Sequence, residues 1–141
     1  MRRGFYYLTG RNYHHRSQWL TLVLLCMTYY YYDLLNNKNF SGLKDLLSEN
    51  MSFTGPVVQR SGANGYIDAL KRLFKFHKKS QVLQQFENGN DVCSIYGLIM
   101  DKPAGGSLSV VIADWIRVVD GRIAEQKIYY DPREFVKAFP P

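Results

Sequence analysis

The stretch that most constrains the fold is residues 107–131, SLSVVIADWIRVVDGRIAEQKIYYD. Asp120-Gly121 between two runs rich in β-branched residues predicts a β-hairpin, because a two-residue hairpin turn needs positive φ at its central residues. Side chains on a strand alternate between faces, so Asp114 should share a face with four branched aliphatic residues, Val110, Ile112, Ile116 and Val118. A carboxylate in such surroundings must lie at a cavity, be paired or be held neutral. Asp114 is therefore the principal functional candidate.

Charge and cysteine content exclude several classes of function. Residues 1–27 carry four of the 18 basic residues and no acid, which leaves 14 basic and 12 acidic residues in the remainder. This near balance argues against a nucleic-acid-binding surface, and we interpret one basic cluster as a solvated helix face: Lys71, Arg72, Lys75, Lys78 and Lys79. The two cysteines and three histidines lack metal-ligand spacing. We expect no metal site and a reducing, cytoplasmic location.

The N-terminal segment differs in composition from the rest. We interpret residues 1–27 as a basic and apolar extension and residues 28–141 as the folded domain. The apolar run of residues 20–27 is too short to span a bilayer, so no membrane association is expected. A secretory signal is an alternative, but no A-x-A-like cleavage site follows the run. Another alternative is that Met27 is the natural start.

The remaining pattern predicts an α+β protein. A helix over residues 20–37 has one apolar stripe, which places Tyr31 inward and Tyr32 on another face. A helix over 40–47, a strand over 50–54, a loop to Ser61 and a helix over 62–77 capped by Ser61 should follow. Strands over 82–87 and 92–100, the hairpin and a helical turn over 133–139 complete the chain. Helices followed by an antiparallel meander are typical of the α+β class.

With these residues in view, the chain resembles the SnoaL-like branch of the nuclear transport factor 2-like superfamily over residues 28–139. The most recognisable segments are YYDLLNNKNFSGLKDLLSENMSF and IRVVDGRIAEQKIYYDPREF. The resemblance implies a cone-shaped, curved mixed/antiparallel sheet wrapped around three N-terminal helices, a deep apolar pocket and homodimers packed through the sheet. It does not specify an activity, because this fold carries several chemistries and some members have none.

The resemblance also suggests roles for individual residues. In ketosteroid isomerases a first-helix Tyr and an Asp on the penultimate strand stabilise a developing oxyanion, and these match Tyr31 and Asp114. In polyketide cyclases a carboxylate on the same strand performs acid–base chemistry, and Asp114 is again the match. The general base of the isomerases falls on Gly55, which has no ionisable side chain, so a faithful isomerase is not expected. Epoxide hydrolases of this fold use an Arg that residues 92–100 lack.

Two functions remain open. The first is a cofactor-independent isomerase or cyclase, without a metal, that acts on a hydrophobic carbonyl compound, with Asp114 and Tyr31 as catalytic residues. The second is a non-catalytic ligand-binding or dimeric interaction module. In both cases the partners would be a small hydrophobic ligand and a second copy of the chain. The predicted substrate-binding residues are Tyr66, Leu70, Tyr96, Leu98, Met100, Ile112, Ile116, Gln126, Ile128 and Tyr130.

Overall fold

The computed structural model describes the backbone from Arg2 to Pro141 and the side chains from Gln18 onward. Its elements confirm the predicted order of helices followed by an antiparallel meander. They are α1 (Arg2–Asn36), α2 (Phe40–Leu46), β1 (Leu47–Thr54), β2 (Gln59–Ser61), α3 (Ala63–Leu73), β3 (His77–Asn88), β4 (Asp91–Asp101), β5 (Ser107–Val119), β6 (Arg122–Tyr129) and α4 (Arg133–Ala138).

The six strands form one curved, unclosed sheet in the order β2-β1-β6-β5-β4-β3. Neighbouring strands are antiparallel except β1 and β6, which run parallel. The register shifts in β3 between Val82 and Gln84 and again in β5 between Arg117 and Val118. Such bulges bend a strand and increase its twist, so they help the sheet to curve around the helices. The predicted α+β fold class is confirmed.

The central hairpin forms as its sequence predicts. Asp120 and Gly121 both have positive φ, 51° and 75°, the geometry that favours Asp-Gly in a tight turn. Even-numbered residues of β5 from 108 to 118 face the core and odd-numbered ones face outward. Asp114 therefore lies inside, while Trp115 lies outside with Val111 and Ala113. Arg117 and Lys127 lie over the Trp115 ring, at 4.9 and 5.3 Å from its centroid.

The boundaries around α3 differ from the prediction. The helix ends at Leu73 and strand β3 begins at His77, so Lys78 and Lys79 lie on a strand rather than on a helix. Tertiary contacts outweigh helix propensity here, because the side chain of Asn36 in α1 bonds the backbone N–H and C=O of Ser80. The predicted Ser61 cap is also wrong. Gly62 is the N-cap and makes no side-chain cap bond, while Ser61 pairs with Ser52 in the sheet.

Helix α1 packs its inner face against β3 and β4. Leu24, Tyr31 and Leu35 of the predicted stripe are buried, whereas Leu20 is exposed and does not belong to the core. The backbone helix continues without interruption through residue 28, so the proposed domain boundary stays a prediction, and the side chains of residues 1–17 lie outside the described part. In the part of the chain that the structure describes, no helix is long and apolar enough to cross a membrane.

Candidate functional site

Asp114 lies at the centre of the sheet, inside the curve. Its strand neighbours are Ser94 on β4 and Ile128 on β6, and only 1% of its surface is exposed. The alternation of β5 places this carboxyl group in the core, so it needs partners that also come from the interior.

Tyr32 is one of these partners. Its hydroxyl donates to Asp114 Oδ2 at 2.6 Å, a short distance typical of a bond to a carboxylate. Gln126 on β6 supplies the second donor, because its Nε2 lies 3.0 Å from both carboxyl oxygens. The predicted inward position of Gln126 is confirmed by its burial.

Tyr32 was predicted to lie on a different face of α1 from Tyr31, and the structure shows that this second face is buried as well. Tyr31 and Tyr32 are both buried, because the curved sheet and α2 cover more than one stripe of α1. A signal existed in the sequence: Leu24, Thr28, Tyr32 and Leu35 follow the spacing of four, four and three residues that marks one helix face. Thr28 is polar, and this concealed the second stripe.

Among the described residues, the hydrogen-bonded path from Tyr31 to Asp114 runs through Gln126. The Tyr31 hydroxyl is hydrogen-bonded to the hydroxyl of Tyr66 on α3, and Gln126 Nε2 donates to it at 3.2 Å. The result is a buried chain of polar groups that ends at a helix on each side: Tyr32, Asp114, Gln126, Tyr31 and Tyr66. Each of these side chains has a hydrogen-bond partner, which is the condition for a polar network in a core.

Burial raises the pKa of Asp114 to about 6, although the hydrogen bonds from Tyr32 and Gln126 act to lower it. Burial also raises the pKa of Tyr31, Tyr32, Tyr66 and Tyr96 well above that of a free phenol. The phenols therefore remain neutral donors at neutral pH. A carboxyl group that titrates near pH 6 beside neutral donors can exchange a proton with a bound molecule.

A second set of hydrogen-bonded polar side chains lies next to this buried chain, on the same side of the sheet. Gln85 donates through Nε2 to Thr28 Oγ1 and Ser94 Oγ, both at 2.9 Å, and Ser94 pairs with Asp114 across the strands. The Oε1 atom of Gln85 is buried and has no hydrogen-bond partner among the described residues. Sequence reasoning missed Thr28, Gln85 and Ser94, since single polar residues in an apolar pattern do not reveal their partners.

The residues predicted to line a pocket lie on the inner side of the molecule and pack against one another. Tyr96 pairs with Ile112 across β4 and β5, and its ring lies 5.0 Å from that of Tyr32. These residues belong to the core or pack against it: Tyr66, Leu70, Tyr96, Leu98, Met100, Ile112, Ile116, Ile128 and Tyr130. Their role in binding stays a prediction.

The predicted deep pocket is not shown by this packing. The structure shows instead an open apolar groove of about 490 Å³ on the outer side of α1, lined by Trp19, Leu22, Val23, Cys26, Met27 and Tyr30. Asp114 does not line this groove, and only 1% of its surface is exposed. Because the carboxyl group is buried, access to it requires a rearrangement of the side chains that cover it.

Gly55, which the resemblance matches to the isomerase base, directly follows β1. A Cβ atom built on Gly55 would lie 3.1 Å from Ile128 Cγ1, and Ile128 is the strand neighbour of Asp114. The position therefore borders the interior but carries no titratable group. Among the described side chains, no group of three or more His, Cys, Asp or Glu residues could hold a metal ion.

Comparison with solved structures places this architecture among known folds. A nuclear transport factor 2-like protein of unknown function from Cytophaga hutchinsonii is 30% identical, with a TM-score of 0.70 over 79% of this chain and 93% of that one. A putative SnoaL-like polyketide cyclase from Shewanella denitrificans is 15% identical, with a TM-score of 0.71 over 82% and 96%. A Catenulispora acidiphila protein with a ketosteroid isomerase-like fold, solved with trimethylamine, is 12% identical, with a TM-score of 0.69 over 79% and 90%.

No curated protein sequence matches this chain significantly. The family model of the SnoaL-like domain matches residues 29–126, a span that begins in α1 and includes Tyr31, Tyr32, Tyr66, Asp114 and Gln126. The topology, the position of Asp114 on the penultimate strand and this match agree, and the chain belongs to the SnoaL-like family of the nuclear transport factor 2-like superfamily.

Proposed function

We propose that this protein is a cofactor-independent acid–base catalyst that acts on a hydrophobic carbonyl compound. The observation that carries the proposal is the buried Asp114 carboxyl group, which two neutral donors hold and whose pKa burial raises to about 6. Burying a carboxylate costs free energy, and a perturbed carboxyl group of this kind is a candidate functional site.

Asp114 acts as the base in this proposal. Its carboxylate takes a proton from a carbon next to the carbonyl group, and the electron pair of the broken C–H bond forms an enolate. Tyr31 donates a hydrogen bond to the enolate oxygen after its hydroxyl leaves Tyr66. In a β,γ-unsaturated ketone, Asp114 then returns the proton to the γ-carbon of the dienolate, which completes an isomerisation. Alternatively, the enolate carbon attacks a second carbonyl carbon within the same molecule and closes a ring; the electron pair of that C=O π bond moves to its oxygen, which takes the proton from Asp114.

Tyr32 and Gln126 hold the carboxyl group in position during these steps. Both donate to it directly, and hydrogen bonds to the charged form favour ionisation. They oppose the effect of burial, so that the pKa lies near 6 rather than higher. General bases work best when their pKa lies near the working pH, and this balance supports Asp114 in that role.

A non-catalytic ligand-binding role is the second candidate. Gly55 supports it, because the position that carries the base in ketosteroid isomerases has no ionisable group here. The complete hydrogen bonding of the Tyr32–Asp114–Gln126 group also supports it, since a satisfied network stabilises a core without any reaction.

Deuterium exchange next to the carbonyl group of apolar cyclic ketones separates the two candidates. In D2O, the native protein should accelerate the exchange measured by NMR, with an inflection near pH 6. Asp114→Asn should slow the exchange by about 10²- to 10⁴-fold, the usual contribution of a general base. Asp68→Asn is the matched control, because Asp68 is an exposed acid on α3. Unchanged exchange in Asp114→Asn would rule out the catalytic assignment, and ligand binding without exchange would favour the second candidate.

We also propose that a second copy of the chain packs on the outer face of the sheet. Phe86, Val111 and Tyr129 are exposed apolar residues on strands β3, β5 and β6. The half-buried Ile95 and Ala113 pair between them. A connected apolar patch of this kind is typical of a protein–protein interface.

A further inference from the structure

The space enclosed by the concave face of the sheet is tightly packed at one end and less tightly packed at the other. Val92, Ile116, Ile123 and Met51 have no exposed surface. Beyond Asp114 in the opposite direction, Met100 and Leu108 are buried, but Tyr130, Val110 and Phe76 are only partly buried. The second end is therefore less tightly packed than the first, and we take it as the entrance to the carboxyl group.

The strand pairing shows how many rows of side chains lie between Asp114 and this end of the sheet. Asp114 pairs with Ser94, the next inward pair is Ile112 with Tyr96, and the one after that is Val110 with Leu98. Tyr130 follows the last paired residue of β6, which faces Ala113, so Tyr130 lies level with the Ile112 pair. Tyr130 and Val110 thus lie in the first and second rows of side chains beyond Asp114, and the buried Met100–Leu108 pair forms the third row.

Helix α4 and its C-cap residue, Phe139, cover this entrance with two aromatic rings. Phe135 lies 5.9 Å from Tyr130 between ring centroids, Phe139 lies 5.3 Å from Phe76, and the rings of Phe135 and Phe139 lie 5.0 Å apart. These residues form a chain of rings across the open end of the sheet. No residue of α4 is buried, however, so the cover is shallow.

The attachment of α4 depends on these apolar contacts. The hydrogen bonds and ion pairs of the described residues 131–141 all remain within that segment: Arg133 bonds Asp131, Lys137 bonds Glu134, and the backbone bonds are those of the helix itself. A helix of six residues is not stable alone. The segment can therefore leave the sheet without breaking a polar contact to it, and the Asp131-Pro132 junction precedes the helix.

We propose that Phe135 and Phe139 occupy an entrance subsite for a flat apolar ring system, and that α4 moves away about Asp131-Pro132 to admit the ligand. A flat ring system fits because offset and edge contacts with Phe76 and Tyr130 would replace those that the two phenyl rings make. The ligand class rests on the proposed function, whereas the displacement of α4 follows from packing alone. The ligand then passes Tyr96 and Ile112 to reach Asp114.

Binding of prodan, a fluorescent naphthyl ketone, tests this inference. Replacing both rings (Phe135→Ala with Phe139→Ala) should tighten prodan binding at least tenfold relative to the native chain, as measured by fluorescence titration. Val136→Ala is the matched control, because Val136 is an exposed residue of the same helix, and it should leave the affinity unchanged. Adding Val110→Phe to the double variant should reverse the gain, because the larger side chain narrows the entrance.

Unchanged prodan affinity in the double variant, or an equal gain in Val136→Ala, would overturn the proposal. The urea unfolding midpoint and the near-ultraviolet circular dichroism of each variant establish that it is folded. If the alanine pair does not fold, Phe135→Leu with Phe139→Leu takes its place and should show a smaller gain of the same sign. In the native chain, amide hydrogens of α4 should exchange faster than those of β5, and equal protection would also contradict the proposal.

The outcomes separate this inference from the proposed catalysis. Tighter prodan binding together with deuterium exchange that Asp114→Asn leaves unchanged would keep the α4 cover and remove the catalytic role. Loss of exchange in Asp114→Asn with no effect of the α4 variants would keep the catalytic role and remove the cover.

Discussion

At the scale of single residues, Asp114 makes the stability of this protein depend on pH. The folded-state pKa of about 6 lies above the ordinary value of 3.8, so the folded state binds the proton more tightly than the unfolded chain. The contribution of the protonated carboxyl group to the free energy of unfolding is fully present below about pH 4 and is lost as the pH rises through 6. By the conversion of 1.36 kcal/mol for each pKa unit, the ionised carboxyl group costs about 3 kcal/mol at neutral pH.

Asp114→Asn should remove this dependence. In urea titrations at pH values from 4 to 7, the free energy of unfolding of the native chain should contain a contribution that decreases as the pH rises. The variant should lack this contribution. Asp68→Asn again provides the control. Equal pH dependence of the unfolding free energy in the native chain and in Asp114→Asn would show that burial does not raise the pKa of this carboxyl group.

His77 contributes a dependence of opposite sign. Burial, and to a lesser degree the nearby Lys38, lower the pKa of His77 to about 4 from an ordinary value of 6.5. The unfolded chain therefore binds the proton more tightly, and stability that is complete above pH 6.5 is lost as the pH falls towards 4. His77→Phe would keep the ring stacked on Phe74, 4.2 Å away, and should abolish this loss.

The two groups titrate over overlapping ranges, so their effects partly cancel in the native chain. The unfolding free energy of His77→Phe should fall with rising pH between 4 and 6 more steeply than that of the native chain. A parallel shift of the whole curve would mean only that the hydrogen bond to Ser80, 2.9 Å from His77 Nε2, was lost, and the pH assignment would be wrong.

The two adjacent tyrosines should affect the carboxyl group unequally. Tyr32→Phe removes the direct donor to Asp114 and should raise the pKa of Asp114 further, because that hydrogen bond lowers it. Tyr31→Phe leaves the direct bond in place and should change this pKa less. Carbon-13 NMR of the labelled carboxyl group during a pH titration measures both values. A larger effect of Tyr31→Phe would reverse the order of contact that the structure shows.

At the scale of secondary structure, the length of α1 needed by the fold can be tested by truncation. Gln18, Trp19 and Leu20 are exposed, whereas Leu24 is buried and Leu25 packs against the core. Removing residues 1–20 should leave the free energy of unfolding nearly unchanged. Removing residues 1–26 also removes Leu24, and loss of a buried Leu side chain costs about 2–5 kcal/mol.

Urea unfolding of both truncated chains measures the difference. The chain that begins at Met27 should then fold, but with less stability than the chain that begins at Thr21. Equal stability of the two truncated chains would show that Leu24 contributes nothing to the core and would support a boundary at residue 28.

At the scale of the whole molecule, the outer face of the sheet determines the expected assembly. Val111 lies on this face and is 62% exposed, so it would be buried in the proposed homodimer. Val111→Lys should therefore shift the sedimentation coefficient from that of a dimer to that of a monomer. Val57→Lys is the control, because Val57 is an exposed valine between β1 and β2. A native chain that sediments as a monomer at every concentration would contradict the proposal.

Much of the fold could be predicted because it depends on short-range patterns. The two-residue alternation of β5 placed Asp114 inside, and Asp120-Gly121 placed the turn, since both follow from backbone geometry over a few residues. The boundaries of α3 and β3 could not be predicted in this way. The start of β3 depends on Asn36, which is 44 residues from Ser80 in the chain, and tertiary contacts of this kind outweigh local propensity.

Local sequence patterns were enough to place an acidic side chain on the inside of the sheet and helices before the strands. The bond of this acid to Tyr32 rather than Tyr31, and the contacts of Phe135 and Phe139 with Tyr130 and Phe76, depend on tertiary packing. The periodicity of a helix shows which side chains share a face, but the width of the buried face depends on how far the sheet curves around it. That curvature arises from bulges and from contacts between residues distant in the chain, and no local pattern encodes it.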